Sequence, residues 1–140
     1  MIELRIRAYE EDDEAAVSSL WEMVFRDGSR RNAPDRIIRQ KLTTQRELFF
    51  VGAIGPRVIG TVLGGYDGHR GWVYHLAVHP EHRRAGFGRQ LMQTVERHLR
   101  ALGCPKVNLQ VRTDNSAVVA FYESLGYAIE ERLSLGKVMD

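Results

Sequence analysis

Residues 72–78, WVYHLAV, carry apolar side chains on both alternating faces. A strand points successive side chains to opposite sides of its sheet, so a segment apolar on both belongs inside a sheet covered on each face. That requirement calls for helices on the two sides and a chain long enough to supply them. The 140 residues, 44% apolar and 27% charged, suffice for one such core and leave no room for two. One domain spanning residues 1–140 is therefore expected, since neither disorder nor a fibrous repeat has this composition.

The rest of the chain supplies the layers. Ile2, Leu4 and Ile6 alternate with Glu3, Arg5 and Arg7, which predicts a half-buried first strand. Five acids, Glu10 to Glu14, precede Ala15, Ala16, Val17, Leu20, Trp21 and Val24 at helical spacing; acids in a first turn complement the helix dipole. Pro34 suits the first turn of a second helix carrying Ile37, Ile38 and Leu42. Residues 48–54 and 58–63 are apolar and β-rich around Gly55-Pro56, the pattern of a hairpin, and residues 64–71 form a second turn before the 72–78 strand. Phe87, Leu91, Val95, Leu99 and Leu102 mark a long amphipathic helix closed by Gly103 and Pro105. A strand over 107–111, a helix over 116–125 with Val118, Phe121 and Leu125 facing a core, and one or two strands around 134–136 complete the order. The class is α/β (α+β): a mixed sheet with helices on its faces, joined partly by crossovers.

Charge and cysteine content exclude several roles. Twenty basic against eighteen acidic residues leave +2, too little to imply a nucleic-acid or membrane-surface partner. Arg83, Arg84, Arg89, Arg97 and Arg100 spread around a helix without stacking aromatics, which argues against nucleic acid. The single Cys104 makes no intramolecular disulfide, and no Cys/His cluster has zinc-ligand spacing, so no metal is expected. The first residues lack a signal-peptide pattern, and no apolar run approaches the ~20 residues of a membrane helix, so a cytoplasmic protein is expected.

Chemistry concentrates in His79-Pro80-Glu81-His82-Arg83-Arg84-Ala85-Gly86-Phe87-Gly88-Arg89, between the 72–78 strand and the long helix. Gly86 and Gly88 remove the Cβ atoms that obstruct a tightly turning backbone, and the helix start offers unpaired N–H groups and a positive dipole end. Arg83, Arg84 and Arg89 add guanidinium groups that fork onto phosphate oxygens, so a diphosphate fits the segment. A P-loop is excluded because no Gly-x-x-x-x-Gly-Lys-Ser/Thr occurs, and Gly86-Phe87-Gly88 lacks the third glycine and early position of a dinucleotide fingerprint.

The Arg83-Arg84-Ala85-Gly86-Phe87-Gly88 segment resembles the Gln/Arg-x-x-Gly-x-Gly/Ala motif of the Gcn5-related N-acetyltransferase (GNAT) family. The likeness extends over the helical hairpin, Leu76-Ala77-Val78 followed by His79-Pro80, and Asn115 with Phe121-Tyr122-Glu123-Ser124-Leu125-Gly126-Tyr127. Within the family, Tyr66 to Gly71, Gly103 to Lys106 and Leu133 to Lys137 look like the small bacterial YpeA-type acetyltransferases. The resemblance implies a sheet of six to seven strands with about four helices, splayed between the fourth and fifth strands. It implies acetyl-CoA as cosubstrate, with the backbone of Leu76, Ala77 and Val78 bonding the pantetheine arm by β-augmentation. By the same resemblance Arg83, Arg84, Ala85, Gly86, Phe87 and Gly88 hold the diphosphate, Asn115 reaches the pantetheine, and Tyr122 sits by the thioester sulfur. Read as residues alone, Tyr122 suits a packing aromatic, and Asn115 suits a helix cap, a job compatible with the other.

The resemblance implies an N-acetyltransferase acting by direct transfer to an amine-bearing small molecule or peptide, with Tyr122 protonating the departing thiolate. Dimers are common among the proteins this chain resembles. The base is the open role. Gln110 stands where ribosomal-protein N-terminal acetyltransferases carry Glu, and an amide accepts no proton; strand alternation turns His75 away from Tyr74, which leaves a chain of water as the expected base. The missing carboxylate also sustains the alternative of a catalytically silent CoA-binding regulatory domain. Trp21, Arg30, Arg31, Tyr66, Asp67 and His69 are the candidate acceptor-selecting residues.

Overall fold

A five-stranded mixed sheet organises the first of the two units into which the chain divides, residues 1–110 and 111–140. The computed structural model describes residues 3–25 and 28–139. The strands lie side by side in chain order: β1 (Arg5–Ala8), β2 (Phe49–Ile54), β3 (Arg57–Tyr66), β4 (Gly71–Val78) and β5 (Val107–Asn108). The first four are antiparallel and β5 runs parallel to β4. Ile6 lies in β1 as its alternation predicts, while Ile2 lies outside the described residues. Gly55, at φ +56°, makes the expected turn between β2 and β3. β3 extends to Tyr66, so the second turn is shorter than the sequence suggested.

Helices α1 (Glu14–Val24) and α2 (Pro34–Leu42) cover one face. The acid run does helix-start work: the Asp13 carboxylate accepts from the Glu10 N–H at 2.9 Å and from two Arg7 guanidinium nitrogens at 2.8 and 2.9 Å. Arg7 thereby holds the Asp13 carboxyl below its ordinary range and ties α1 to β1. Val17, Leu20, Trp21 and Ile38 then meet Phe49, Val51, Leu63 and Ala77 of the sheet.

Helix α3 (Phe87–Ala101) covers the other face through Leu91, Val95 and Leu99. It approaches the sheet over glycines. A Cβ on Gly60 would lie 2.9 Å from the Leu91 Cδ1, and one on Gly64 2.5 Å from the Val95 Cγ2. Since Gly60 and Gly64 are four residues apart on β3, they share a face, and two turns of α3 rest almost on backbone.

Four expectations are corrected. The sheet has five strands among the described residues, not six to seven. Residues 127–139 hold no strand, and Leu133 and Leu135 stand 91% and 93% exposed; alternation specifies a strand only where one face is covered, and here it is not. The 107–111 strand contracts to Val107–Asn108, paired at Gly71↔Val107 and Trp72↔Asn108. β4 is also less enclosed than its composition suggested: Val73 and Ala77 are buried, but Trp72 and Tyr74 are 39% and 40% exposed. Among the described residues there are four α-helices, as expected, the fourth being α4 (Ser116–Ser124) in the second unit.

The glycine contact makes a direct prediction. Gly64→Ala should cost about 1–3 kcal/mol, the usual range for overpacking a filled site, whereas Gly136→Ala, with open space around it, should stay within about 0.5 kcal/mol of wild type. Urea denaturation of both variants measures the difference.

Candidate functional site

The β3–β4 ladder is interrupted where the chemistry is expected. Thr61 pairs with Ala77 and Leu63 with Tyr74, so Val62 alone opposes both His75 and Leu76. This is a β-bulge, and His75 adopts the left-handed conformation at φ +50°. The bulge takes the His75 carbonyl out of regular pairing, and the Thr61 hydroxyl donates to it at 2.9 Å. That hydroxyl in turn accepts from the indole N–H of Trp21 at 2.8 Å, and both Thr61 and Trp21 are buried. Trp21, a sequence candidate for acceptor choice, is thus a support for the strand.

The bulge overturns the alternation argument for His75. Tyr74 and His75 are consecutive, yet both line one cavity of 360 Å³. The His75 imidazole packs against Trp21 and Phe25, with ring centroids 4.7 Å away in each case. Burial pushes it down to about 4, so it is neutral through the physiological range. Helix α2 supplies the opposite wall through Ile37, Gln40 and Lys41. Lys41 is almost wholly buried; its ammonium donates to the Gly64 carbonyl and stands 5.9 Å from the centre of the Tyr74 ring. Burial lowers it to about 8, which leaves it predominantly cationic at neutral pH. Arg31, a sequence candidate, also lines this cavity. Lys41 was missed: a lysine between Ile38 and Leu42 reads as the solvent side of an amphipathic helix, and no local signal announces its burial.

At the other end of β4 the chain enters the glycine loop. Residues Pro80–His82 form one 3-10 turn, Arg84 takes φ +63°, and Gly86 takes φ +80° as the N-cap of α3. Two left-handed residues within three turn the backbone sharply before the helix starts, and Gly86 is required by its φ rather than by space, since a Cβ there meets nothing within 4 Å. Phe87 is buried and anchors the first turn, whereas Arg83, Arg84, Ala85 and Arg89 are exposed and Gly88 is half-buried. The Arg83 Nε donates to the Val78 carbonyl at 3.2 Å, tying the loop to the end of β4. Leu76 and Val78 are half-buried around the buried Ala77. The structure therefore brings together Leu76, Ala77, Val78 and the Arg83–Gly88 segment as one continuous strand–loop–helix connection.

Asn115 and Tyr122 belong to the second unit. Asn115 caps α4, its side-chain oxygen accepting from the Val118 N–H at 3.3 Å. Tyr122 contacts the rings of Phe121 at 5.1 Å and Tyr127 at 5.7 Å. Burial raises its phenol to about 12, so it holds its proton at working pH. Val118, Phe121 and Leu125, the residues expected to face a core, are half-buried.

Comparison with known proteins gives a consistent result. The family model described as Acetyltransferase (GNAT) family matches residues 9–127. An acetyltransferase of Yersinia pestis (strain Pestoides F) is 44% identical over 136 residues, covering 96% of this chain and 94% of its own length. One from Pectobacterium atrosepticum is 43% identical with the same coverage. Among solved structures, Ard1 from Thermoplasma volcanium superposes with a TM-score of 0.82 at 25% identity, over 91% of this chain and 84% of that one. The PaiA N-acetyltransferase from Thermoplasma acidophilum, solved with coenzyme A, gives 0.81 at 17% identity over 94% and 93%, a likeness of fold.

The buried imidazole predicts an acid-sensitive fold. An unfolded histidine titrates near 6.5 and folded His75 near 4, so between these values the unfolded chain holds a proton that the folded chain lacks. Stability is therefore lost as pH falls through that window. His75→Asn, which tolerates the left-handed backbone, should start less stable but lose about 2–3 kcal/mol less than wild type between pH 7 and 4.5. Denaturant unfolding at the two pH values tests this; parallel losses in both proteins would refute it.

Proposed function

The chain belongs to the GNAT acetyltransferase family, and from that premise we propose that it transfers an acetyl group from acetyl-CoA directly to the amine of an acceptor in a ternary complex. The observation that carries the reading is the Arg83–Gly88 loop, with its two left-handed turns, opening α3 at the end of β4. The first-turn N–H groups of α3, the helix dipole and the exposed Arg83, Arg84 and Arg89 suit the diphosphate. The backbone of Leu76, Ala77 and Val78 takes the pantetheine arm as an added strand, in a splay of the sheet between β4 and β5, and Asn115 bonds the arm while still capping α4.

In the reaction the acceptor nitrogen forms a bond to the acetyl carbon as the carbon–sulfur bond breaks. Tyr122 gives its phenolic proton to the departing thiolate, and the proton of the attacking amine leaves through water. His75 does not serve as that base: a group lowered to about 4 and wedged between Trp21 and Phe25 is a poor acceptor at neutral pH. Relatives named as acetyltransferases favour turnover over a silent CoA-binding domain. The YpeA-type likeness of the loops, and one catalytic domain spanning both units, belong to the same reading.

Two measurements test it. Saturation at a hundred times Kd stabilises a protein by about 2.7 kcal/mol, so acetyl-CoA should raise the Tm of wild type. Gly86→Asp has room for its side chain, and Asp is among the residues that best tolerate the left-handed backbone at φ +80°, yet it sets a carboxylate against the diphosphate and should lose most of the shift. Equal shifts in the two folded proteins would overturn the loop assignment.

Tyr122→Phe keeps the ring and removes one proton. It should lower kcat by roughly 10²-fold or more, the scale of a lost general acid, with acetyl-CoA affinity and Tm nearly unchanged. Normal kcat in a stable, CoA-competent variant would remove Tyr122 from the mechanism.

A further inference from the structure

The cavity between α2 and β4 has an unusual charge for a site meant to receive an amine. Arg31 and Lys41 line it, and its remaining polar lining, Asn32, Gln40, Thr44 and Tyr74, is uncharged at neutral pH, as is His75. No carboxylate is among the lining residues that the structure describes. Glu47, whose field reaches Lys41, lies outside the lining. A polycationic acceptor would therefore meet two positive charges and, among the described lining residues, no counter-charge. An anion would meet the reverse.

Lys41 strengthens the argument. Burying an ammonium is costly unless it is paired and hydrogen-bonded. Lys41 bonds the Gly64 carbonyl and faces the Tyr74 ring, but forms no ion pair with any carboxylate among the described residues. An ammonium has three donors, and a ligand's anionic oxygen is the partner that would complete this one. Arg31 stands at the same cavity, exposed, with its planar fork suited to a carboxylate or phosphate. The volume, 360 Å³, is at the small end of ligand pockets.

Position along β4 sets the scale. Tyr74 and His75 directly precede Leu76, where the proposed pantetheine edge begins. At ~3.3 Å per residue, the cavity floor and that edge lie within about 3–7 Å along the strand, so the cavity adjoins the proposed pantetheine edge.

We propose that this cavity is the acceptor subsite and selects a small amine that also carries an anionic group, a carboxylate or a phosphate, held by Arg31 and Lys41. This rests on the acetyltransfer reading above and adds the acceptor's chemical class to it.

The test compares matched amines with saturating acetyl-CoA, following thiol release. One arm uses free α-amino acids, a second O-phosphoethanolamine, a third the amino-acid carboxamides, and a fourth spermidine. At least one anionic amine should exceed its uncharged counterpart and spermidine by tenfold or more in kcat/KM, and the first two arms tell carboxylate from phosphate. Arg31→Gln, at an exposed position, and Lys41→Met should each shrink that preference, chiefly through KM, with the acetyl-CoA thermal shift retained. Equal or better turnover of carboxamides or spermidine, or an intact preference in both variants, overturns the proposal and leaves the acetyltransferase reading standing. If a CoA-competent protein acetylates no amine, that reading fails and binding decides the cavity. N-acetylamino acids and N-acetylphosphoethanolamine, titrated by NMR against N-acetylamino-acid amides, should then shift Tyr74 and His75 signals at tenfold lower Kd. Equal Kd values, or no binding of the anions, overturn the subsite.

Discussion

The hydroxyl of Thr61 stands at the point on which the site depends. It accepts from the Trp21 indole and donates to the His75 carbonyl, so one buried side chain links α1, β3 and the irregular residue of β4. A bulge left with an unpaired buried carbonyl is expensive; here the partner is provided from the neighbouring strand. With the bulge in place, Tyr74 and His75 face the same side, and the regular alternation resumes with a shifted phase at Leu76 to Val78. The cavity against α2 and the course of the strand beyond it thus both follow from a single irregular residue.

What could be read in the sequence divides along the range of the forces involved. The period of Phe87, Leu91, Val95 and Leu99, the Gly55-Pro56 turn, the acids before α1 and Pro34 at the start of α2 are local signals, and each element formed where its signal lies. Gly86 was legible too, because a glycine before an amphipathic helix announces a special backbone. The bulge was not. It places a histidine in a conformation that favours glycine, and its support comes from Thr61 and Trp21, 14 and 54 residues away in sequence,. The same holds for Lys41, whose burial follows from where α2 lies over β3 and β4, and for Trp72, whose exposure follows from what the helices leave uncovered.

The two ends of β4 differ in how they present positive charge. At the loop, Arg83, Arg84 and Arg89 are exposed and screened by water and salt, so each contact is weak and it is their number that attracts a multiply charged group. In the cavity, Lys41 is withdrawn from water, where its interaction with a ligand is screened much less. The first arrangement suits a large, highly charged molecule arriving from solution, and the second suits discrimination among small ones.

The glycines under α3 have an effect on how this fold tolerates change. Because Gly60 and Gly64 leave no side chain on the sheet beneath Leu91 and Val95, the height of α3 there is set by two side chains resting on backbone rather than by interlocking pairs. The opposite face has no such stop: α1 and α2 rest on Phe49, Val51 and Leu63 through side chains that trade volume with one another. Substitutions in that layer can tilt α2 and reshape the cavity it walls while the start of α3 keeps its place. One sheet thereby offers a drifting surface on one side and an invariant datum on the other, so descendants of this chain can diverge in what they accept without rebuilding the loop that opens the helix.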